Sequence, residues 1–334
     1  MTGLRECSVT FSDEWSADPS LRTLAPWGKP VFEHTIDEIA GARRQAPAPS
    51  THLLESGIHT FHVGGVPVDS LLRAAMGQPL FVFLTPLVNR PDHLKLPVFV
   101  GQRVSPDEEI ASTLSISDPV LGLDREIRVA WFQGVPALKV PRIVLSIISF
   151  YREHLRAPFV ILVGGSSAGF ASMCLLPHLR RCIALIWNAQ VDISRFDAAD
   201  VHRYASLFDR TTCQETAPAL LRRKVQTDAT RSLRLAEDQA LFALQNANDV
   251  HHLSCHWPLL MRFREDHLCA SPRERCEPRI HPFLGRWGKG HVPLPREVLR
   301  DLLQFISSRK SPQGDNLYEV MKSLPQEIGR LVPH

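Results

Sequence analysis

At 334 residues, with 44% hydrophobic residues, the chain is long enough for one large α/β domain with insertions, or two smaller domains, and it has a globular composition. A net charge of +3, with no basic run beyond short ones such as Arg222-Arg223-Lys224, excludes the electrostatic footprint of a nucleic-acid binder. The opening MTGLRECSVTFSDEW lacks a signal-peptide core, Phe159–Val163 and Ile183–Trp187 are too short to span a bilayer, and the seven cysteines form no CxxC pair, so free thiols and a cytoplasmic location are expected.

Residues 1–75 hold isolated strand-like pieces, such as IHTFHVGGVPVD, broken by the Pro/Ala-rich stretch Gln45–Ser50, and read as a β-rich extension packed on the core. A regular alternation then begins. PLFVFL (79–84) and REIRVAWF (125–132) read as strands, and PRIVLSIISFYREHL (141–155) has apolar residues at helical spacing. PFVILV (158–163) reads as a strand, followed by a helix to about Leu179, and CIALIWN (182–188) as another strand. Residues 194–238 are polar and helix-prone, a helical cap inserted over one edge. QALFALQN (239–246) and RIHPFLG (279–285) are strands, and PREVLRDLLQFISS (295–308) is an amphipathic helix. Short apolar strands alternating with helices predict an α/β fold, a mainly parallel sheet covered on both faces, over residues 76–310. Residues 311–334 read as a polar, loosely attached tail.

The stretch FVILVGGSSAGFASM (159–173) carries the chemistry. As a phosphate loop it fails: Phe170 stands where a Walker A lysine belongs, and Ser166 takes the second glycine of a dinucleotide fingerprint. Gly165-Ser166-Ser167-Ala168-Gly169 is instead GxSxG between a predicted strand and a predicted helix, the setting of a nucleophile elbow. In that register Ser167 is the nucleophile and Ser166 its neighbour.

A serine nucleophile needs a base and an acid to orient it, here in the chain order serine, acid, histidine. Asp249 follows the strand ending near Asn246, and His291 lies in the Gly/Pro-bounded loop before the last helix. Asp192 and Asp266 are rival acids, and His251, His252, His256 and His281 rival bases. For the oxyanion, the Ala168 N–H is one donor, and the other comes from Thr85-Pro86-Leu87-Val88, where Pro86 has no N–H and Leu87 or Val88 must serve. Ser166, Phe170, Gln190 and His252 are candidates to line the substrate pocket.

His251, His252, Cys255, His256, His267, Cys269, Cys276 and His281 crowd one segment, but their spacing matches no zinc motif. No metal and no cofactor is therefore implied; a metal-dependent hydrolase is the alternative that bound zinc would reveal.

Several blocks taken together resemble a bacterial family of α/β hydrolases encoded with polysaccharide-biosynthesis enzymes, similar to the accessory secretion proteins that O-acetylate glycosylated adhesins. These blocks are SISDPVLGL (115–123), VAWFQG (129–134), GSSAG, NAQVDISRF (188–196), QNANDVHHLSCHWP (245–258) and GHVPLP (290–295), in order over roughly residues 80–295. The resemblance implies an α/β-hydrolase fold and a Ser-Asp-His triad, carried onto Ser167, Asp249 and His291. Phe170 departs from the family's second elbow glycine, and Ala189 from its NPQ proline. The activity so implied is that of a serine esterase or O-acyltransferase acting on a glycan or small acylated molecule. A non-catalytic partner in a glycan assembly or secretion complex is the alternative, with the oligomeric state open.

Overall fold

The computed structural model describes residues 17–42, 51–269, 279–309 and 316–333. Nine strands form one sheet: β1 (Val31–Thr35), β2 (Gly57–Val63), β3 (Val66–Arg73), β4 (Leu80–Leu84), β5 (Ser112–Ile116), β6 (Val160–Gly165), β7 (Cys182–Trp187), β8 (Gln239–Asn246) and β9 (Ile280–Gly285). Their spatial order is β1-β2-β3-β5-β4-β6-β7-β8-β9. Only β3 runs against the rest, because a tight Gly64-Gly65 turn joins it to β2 as a hairpin. The other neighbours pair in parallel. β1, β2 and β3 thus continue the same sheet.

The central strands are apolar throughout because both faces are covered. Val160 and Leu162 face a core formed with α2 (Val140–His154) and α3 (Ser167–Leu175). Ile161 and Val163, alternate residues, face α8 (Arg296–Ser308) and α9 (Asn316–Leu331). α2 presents Ile143, Val144, Ile147, Ile148 and Tyr151 at helical spacing toward the sheet.

Two expectations need correction. REIRVAWF is not a strand. Trp131 and Phe132 have φ of 53° and 56°, so the chain coils there, although both side chains are buried. The strand of this region is β5, which no apolar run announces. Its Ser112 hydroxyl donates to the Ala75 carbonyl (2.8 Å), and its Ser115 hydroxyl accepts the Val100 N–H (2.9 Å), so these polar side chains are buried without loss. The segment after Ser311 does not trail away either: Leu317, Val320, Leu324 and Ile328 of α9 are buried against α8.

Between β7 and β8 lie α4 (Ala198–Ser206) and α5 (Ala217–Lys224), with short 3-10 turns. Arg128 forks onto Asp200 of α4 (2.9 and 2.6 Å), and the Tyr204 hydroxyl donates to the Gly134 carbonyl. This inserted segment is thus fastened to the coil at 125–138. The remaining helices are α1 (Ile36–Ala42), α6 (Val250–Cys255) and α7 (Trp257–Cys269). Among the described residues, no helix is long and apolar enough to cross a membrane.

Candidate active site

The site begins where β6 hands over to α3. β6 ends at Gly165 and α3 starts at Ser167, so the whole reversal falls on Ser166, at φ 55° and ψ −120°. An L-residue held there costs about 1–3 kcal/mol and persists only where its surroundings over-determine it. Here they do: the Ser166 N–H donates to the Trp187 carbonyl (3.0 Å), and its carbonyl accepts from Gln190 N–H and Phe170 N–H (both 3.2 Å). Strand and helix approach so closely that a Cβ on Gly164 would lie 2.8 Å from the Ala168 Cβ, and one on Gly169 2.7 Å from the Ala189 Cβ.

This backbone differs from the register that GxSxG suggests. Ser167 is the first residue of α3 and only 1% exposed, and its hydroxyl has no hydrogen-bond partner. Ser166 sits at the turn and is partly exposed. The small residues flanking the turn are Gly164 and Ala168, so the pattern centred on the turn is Gly164-Gly165-Ser166-Ser167-Ala168. Phe170 then no longer occupies an elbow glycine position. It is a fully buried core residue, which removes it from the pocket. A strand extended to Gly165 is the signal that would have moved the turn to Ser166. No side chain caps α3, so the N–H groups of its first turn and the positive end of its dipole are available beside Ser166.

Asp249 and His291 are brought together. Asp249 ends the turn after β8 and caps α6, and its Oδ2 lies 2.6 Å from His291 Nδ1. A carboxylate only accepts, so His291 carries its proton on Nδ1 and presents Nε2 as a lone pair. The loop holding His291 is tied down by Asn246, whose side-chain amide donates to the carbonyls of Gly288 (3.2 Å) and Gly290 (3.1 Å). Asn188 adds a bond to the Val292 carbonyl (2.9 Å).

His252 joins this pair closely. Its Nδ1 lies 3.2 Å from Asp249 Oδ1, and its ring stacks on His291 with centroids 4.2 Å apart and planes at 11°. Burial would raise the Asp249 pKa, but the hydrogen bonds from His252 and His291 outweigh it and hold the carboxyl well below the usual carboxylate range. Burial pushes the His252 pKa down, with Asp249 opposing. Burial, reinforced by His252 and His251, pushes the His256 pKa down to about 3. His252 is therefore a buried neighbour of the Asp249–His291 pair rather than an open pocket wall.

Gln190, also expected in the pocket, is fully buried behind Ser166. Its Nε2 lies 3.2 Å from Ser166 Oγ, and its Oε1 accepts the indole N–H of Trp131. Sequence reasoning missed Trp131, and it missed Asp118, whose Oδ2 accepts the Phe132 N–H (2.8 Å) and Oδ1 the Val120 N–H (3.1 Å). Burial raises the Asp118 pKa to about 6, against the pull of those two bonds. The blocks SISDP, VAWF and NAQ were the available signal.

The remaining candidates divide plainly. Val88 N–H is bound to the Arg128 carbonyl (2.9 Å), which leaves Leu87 as the open donor of its loop. Asp192 caps the turn Ile193–Arg195, and Asp266 is exposed on α7. His256 Nδ1 accepts the Val191 N–H (3.3 Å), His281 stacks on Phe242, and His251 is exposed. The side chains of His267, Cys269 and Cys276 lie outside the described residues. Asp249, His252 and His291 are the one such set, among the described residues, whose ligand atoms lie within 4.8 Å of one another and could hold a metal ion.

Strand order, the opposed β3, and a turn–acid–histidine arrangement along one sheet edge define an α/β-hydrolase fold. The chain is similar in fold to the capsule O-acetyltransferase of Neisseria meningitidis serogroup A, at 12% identity and a TM-score of 0.50, over 74% of this chain and 96% of that one. Looser likenesses are to Est1E from Butyrivibrio proteoclasticus (10% identity, TM-score 0.45, 75% of this chain, 97% of that one) and to the glycosylation-associated Gap123 complex from Streptococcus agalactiae (13%, 0.44, 67% and 41%). No protein-family model matches the chain, and no curated protein matches it in sequence.

Proposed function

We propose that the protein is a serine-dependent acyl ester hydrolase or O-acyltransferase, with Ser166 rather than Ser167 as its nucleophile. The observation that carries this reading is the Ser166 turn: a strained, partly exposed serine at the uncapped start of a helix. The Asp249–His291 pair supports it from the loops that follow β8 and β9. His291 Nε2 takes the Ser166 proton as Oγ attacks the acyl carbonyl, and Asp249 steadies the imidazolium through Nδ1. The tetrahedral oxyanion is held by the Ser167 N–H, the residue after this nucleophile, with Leu87 N–H as second donor; Ala168 moves one place too far along. On collapse, the leaving alcohol departs with the proton from His291. Water, or a sugar hydroxyl, then attacks the acyl-enzyme, loses its proton to His291, and restores Ser166 Oγ–H.

The acyl group and acceptor are read from the resemblance to glycan-modifying relatives and from the fold neighbour that acetylates a capsule. An acetylated or acetyl-accepting glycan is therefore the substrate class to try first. Incubation with a chromogenic acetyl ester, and labelling with a fluorophosphonate probe, test the chemistry: wild type and Ser167→Ala react, and Ser166→Ala does not. Reaction unchanged in Ser166→Ala rejects the reading.

One observation favours a second reading. The converging ligand atoms of Asp249, His252 and His291 suit a metal-dependent hydrolase. It requires stoichiometric metal in the purified protein and activity lost to a chelator, neither of which the serine reading predicts.

A further inference from the structure

We infer that Gln190 is a catalytic donor to the nucleophile, and that Trp131 is the residue that aims it. The inference rests on the reading of Ser166 as nucleophile, because the atom Gln190 touches is Ser166 Oγ (3.2 Å).

A carboxamide has two chemically opposite ends, and burial alone does not say which faces a serine. Here the choice is forced. An indole N–H only donates, so the end of Gln190 facing Trp131 must be the oxygen. The nitrogen is left for Ser166 Oγ. Inverting the amide would set N–H against N–H at Trp131 and remove the donor from the serine. The backbone of Gln190 is fixed to the same turn, since its N–H donates to the Ser166 carbonyl (3.2 Å).

Trp131 is itself held in an expensive conformation. Its φ is 53°, that of Phe132 is 56°, and both rings are buried. The buried Asp118 carboxyl holds the Phe132 N–H and so fixes the coil from which the indole projects. A merely structural glutamine does not require a strained tryptophan behind it; a backbone N–H or a water would satisfy its oxygen at less cost. The result is a neutral donor held on Oγ before substrate arrives. As the proton passes from Oγ to His291, charge grows on Oγ, and the Gln190 N–H bond strengthens with it. Three chain segments thus act in series on one oxygen: Asp118 on 131–132, Trp131 on Gln190, and Gln190 on Ser166 Oγ.

The test measures second-order inactivation by a fluorophosphonate probe, with the labelled residue located by peptide mass spectrometry. Wild type, Gln190→Met, Gln190→Glu, Trp131→Phe and the double variant Trp131→Phe/Gln190→Met are compared, with thermal melts as the check on folding. Gln190→Met keeps the length without the donor and is expected to label Ser166 about 10²-fold more slowly. Trp131→Phe frees the amide to turn over and is expected to cost about 10-fold, with the double variant no slower than Gln190→Met, because Trp131 acts through Gln190. Gln190→Glu offers only acceptors to Oγ near neutral pH. Its rate relative to Gln190→Met is expected to rise as pH falls and the carboxyl regains a proton to donate, a profile that a packing defect does not produce.

Labelling of Ser166 in Gln190→Met at the wild-type rate overturns the inference while leaving the nucleophile standing. So do multiplying effects in the double variant, or a flat Glu/Met ratio with pH. Wild-type labelling at Ser167, or at neither serine, overturns the reading beneath it and the inference together.

Discussion

Buried polar groups fill two regions of this molecule, and the two are built differently. Around β2 and β3 the groups close on one another. Arg22 donates to both Asp69 oxygens (2.8 and 2.7 Å) and to Thr60 (2.9 Å), and Thr60 donates in turn to Asp69 (2.7 Å). His34 and His59 share a hydrogen bond of 3.0 Å, and the far nitrogen of His59 reaches the Glu55 carbonyl (2.8 Å). At the elbow the network stays open: Ser167 Oγ, His252 Nε2 and His256 Nε2 are buried with no partner. Of six non-glycine residues with positive φ among the described residues, four (Trp131, Phe132, Ser166 and Asn188) crowd this edge. The first region is not flawless, since the Tyr151 hydroxyl and Arg73 Nε lack partners there too. Even so, a closed network serves folding, whereas strain gathered beside unpartnered polar atoms is the pattern that the proposed site requires.

Substitutions on the two sides should therefore behave differently. The largest effect is expected at the turn. Ser166→Ala should lower turnover of an acetyl ester by about 10⁴-fold or more, and Ser167→Ala by no more than about 10-fold. Steady-state rates of the two purified variants check this, and a larger loss at Ser167 would restore the GxSxG register. Asp249→Asn comes next, with an expected loss of about 10³–10⁴-fold, because the amide no longer selects the Nδ1–H tautomer of His291.

On the other side, Arg22→Ala should leave the rate per folded molecule within about 2-fold of wild type and cost about 2 kcal/mol of stability, since Asp69 is stranded. Chemical denaturation read beside activity separates the two effects. An activity loss exceeding the folding loss would erase the distinction between the regions.

The smallest effect is one of pH. The folded-state pKa values of His256 and His59 lie at about 3 and about 4, below the ordinary 6.5, so the unfolded chain binds protons that the folded one refuses. Stability is then fully present above pH 6.5 and is lost as pH falls toward those folded values. His256→Asn should reduce the fall in melting temperature between neutral and mildly acid pH by a few degrees, leaving the part due to His59. A slope unchanged by the substitution rejects the contribution of His256.

Much of the fold is readable because both faces of the sheet are buried. β4, β6, β7 and β8 each show a short apolar run bounded by polar or turn residues, which is what burial on two sides demands. β5 escapes that rule, since Ser112 and Ser115 spend their hydroxyls on neighbouring backbone. The 125–132 segment misleads for the converse reason: its apolar residues, Ile127 and Val129 to Phe132, are buried as coil, held by Asp118 and Arg128 rather than by strand pairing. α9 is hidden within a polar stretch because only one of its faces, through Leu317, Val320, Leu324 and Ile328, is apolar.

At the candidate site, chain order placed Asp249 and His291 at neighbouring strand ends, because a parallel sheet delivers its loops to one edge in a regular sequence. That much the linear sequence determined, along with the strand–turn–helix setting of the two serines. Which serine takes the turn depends on where β6 lets go of its neighbours, a matter of hydrogen bonding between strands that lie apart in the chain. Which end of Gln190 meets that serine depends on a tryptophan 59 residues away. Periodicity and spacing record local preference. The aim of a single oxygen or amide is decided by contacts that exist only once the sheet has closed.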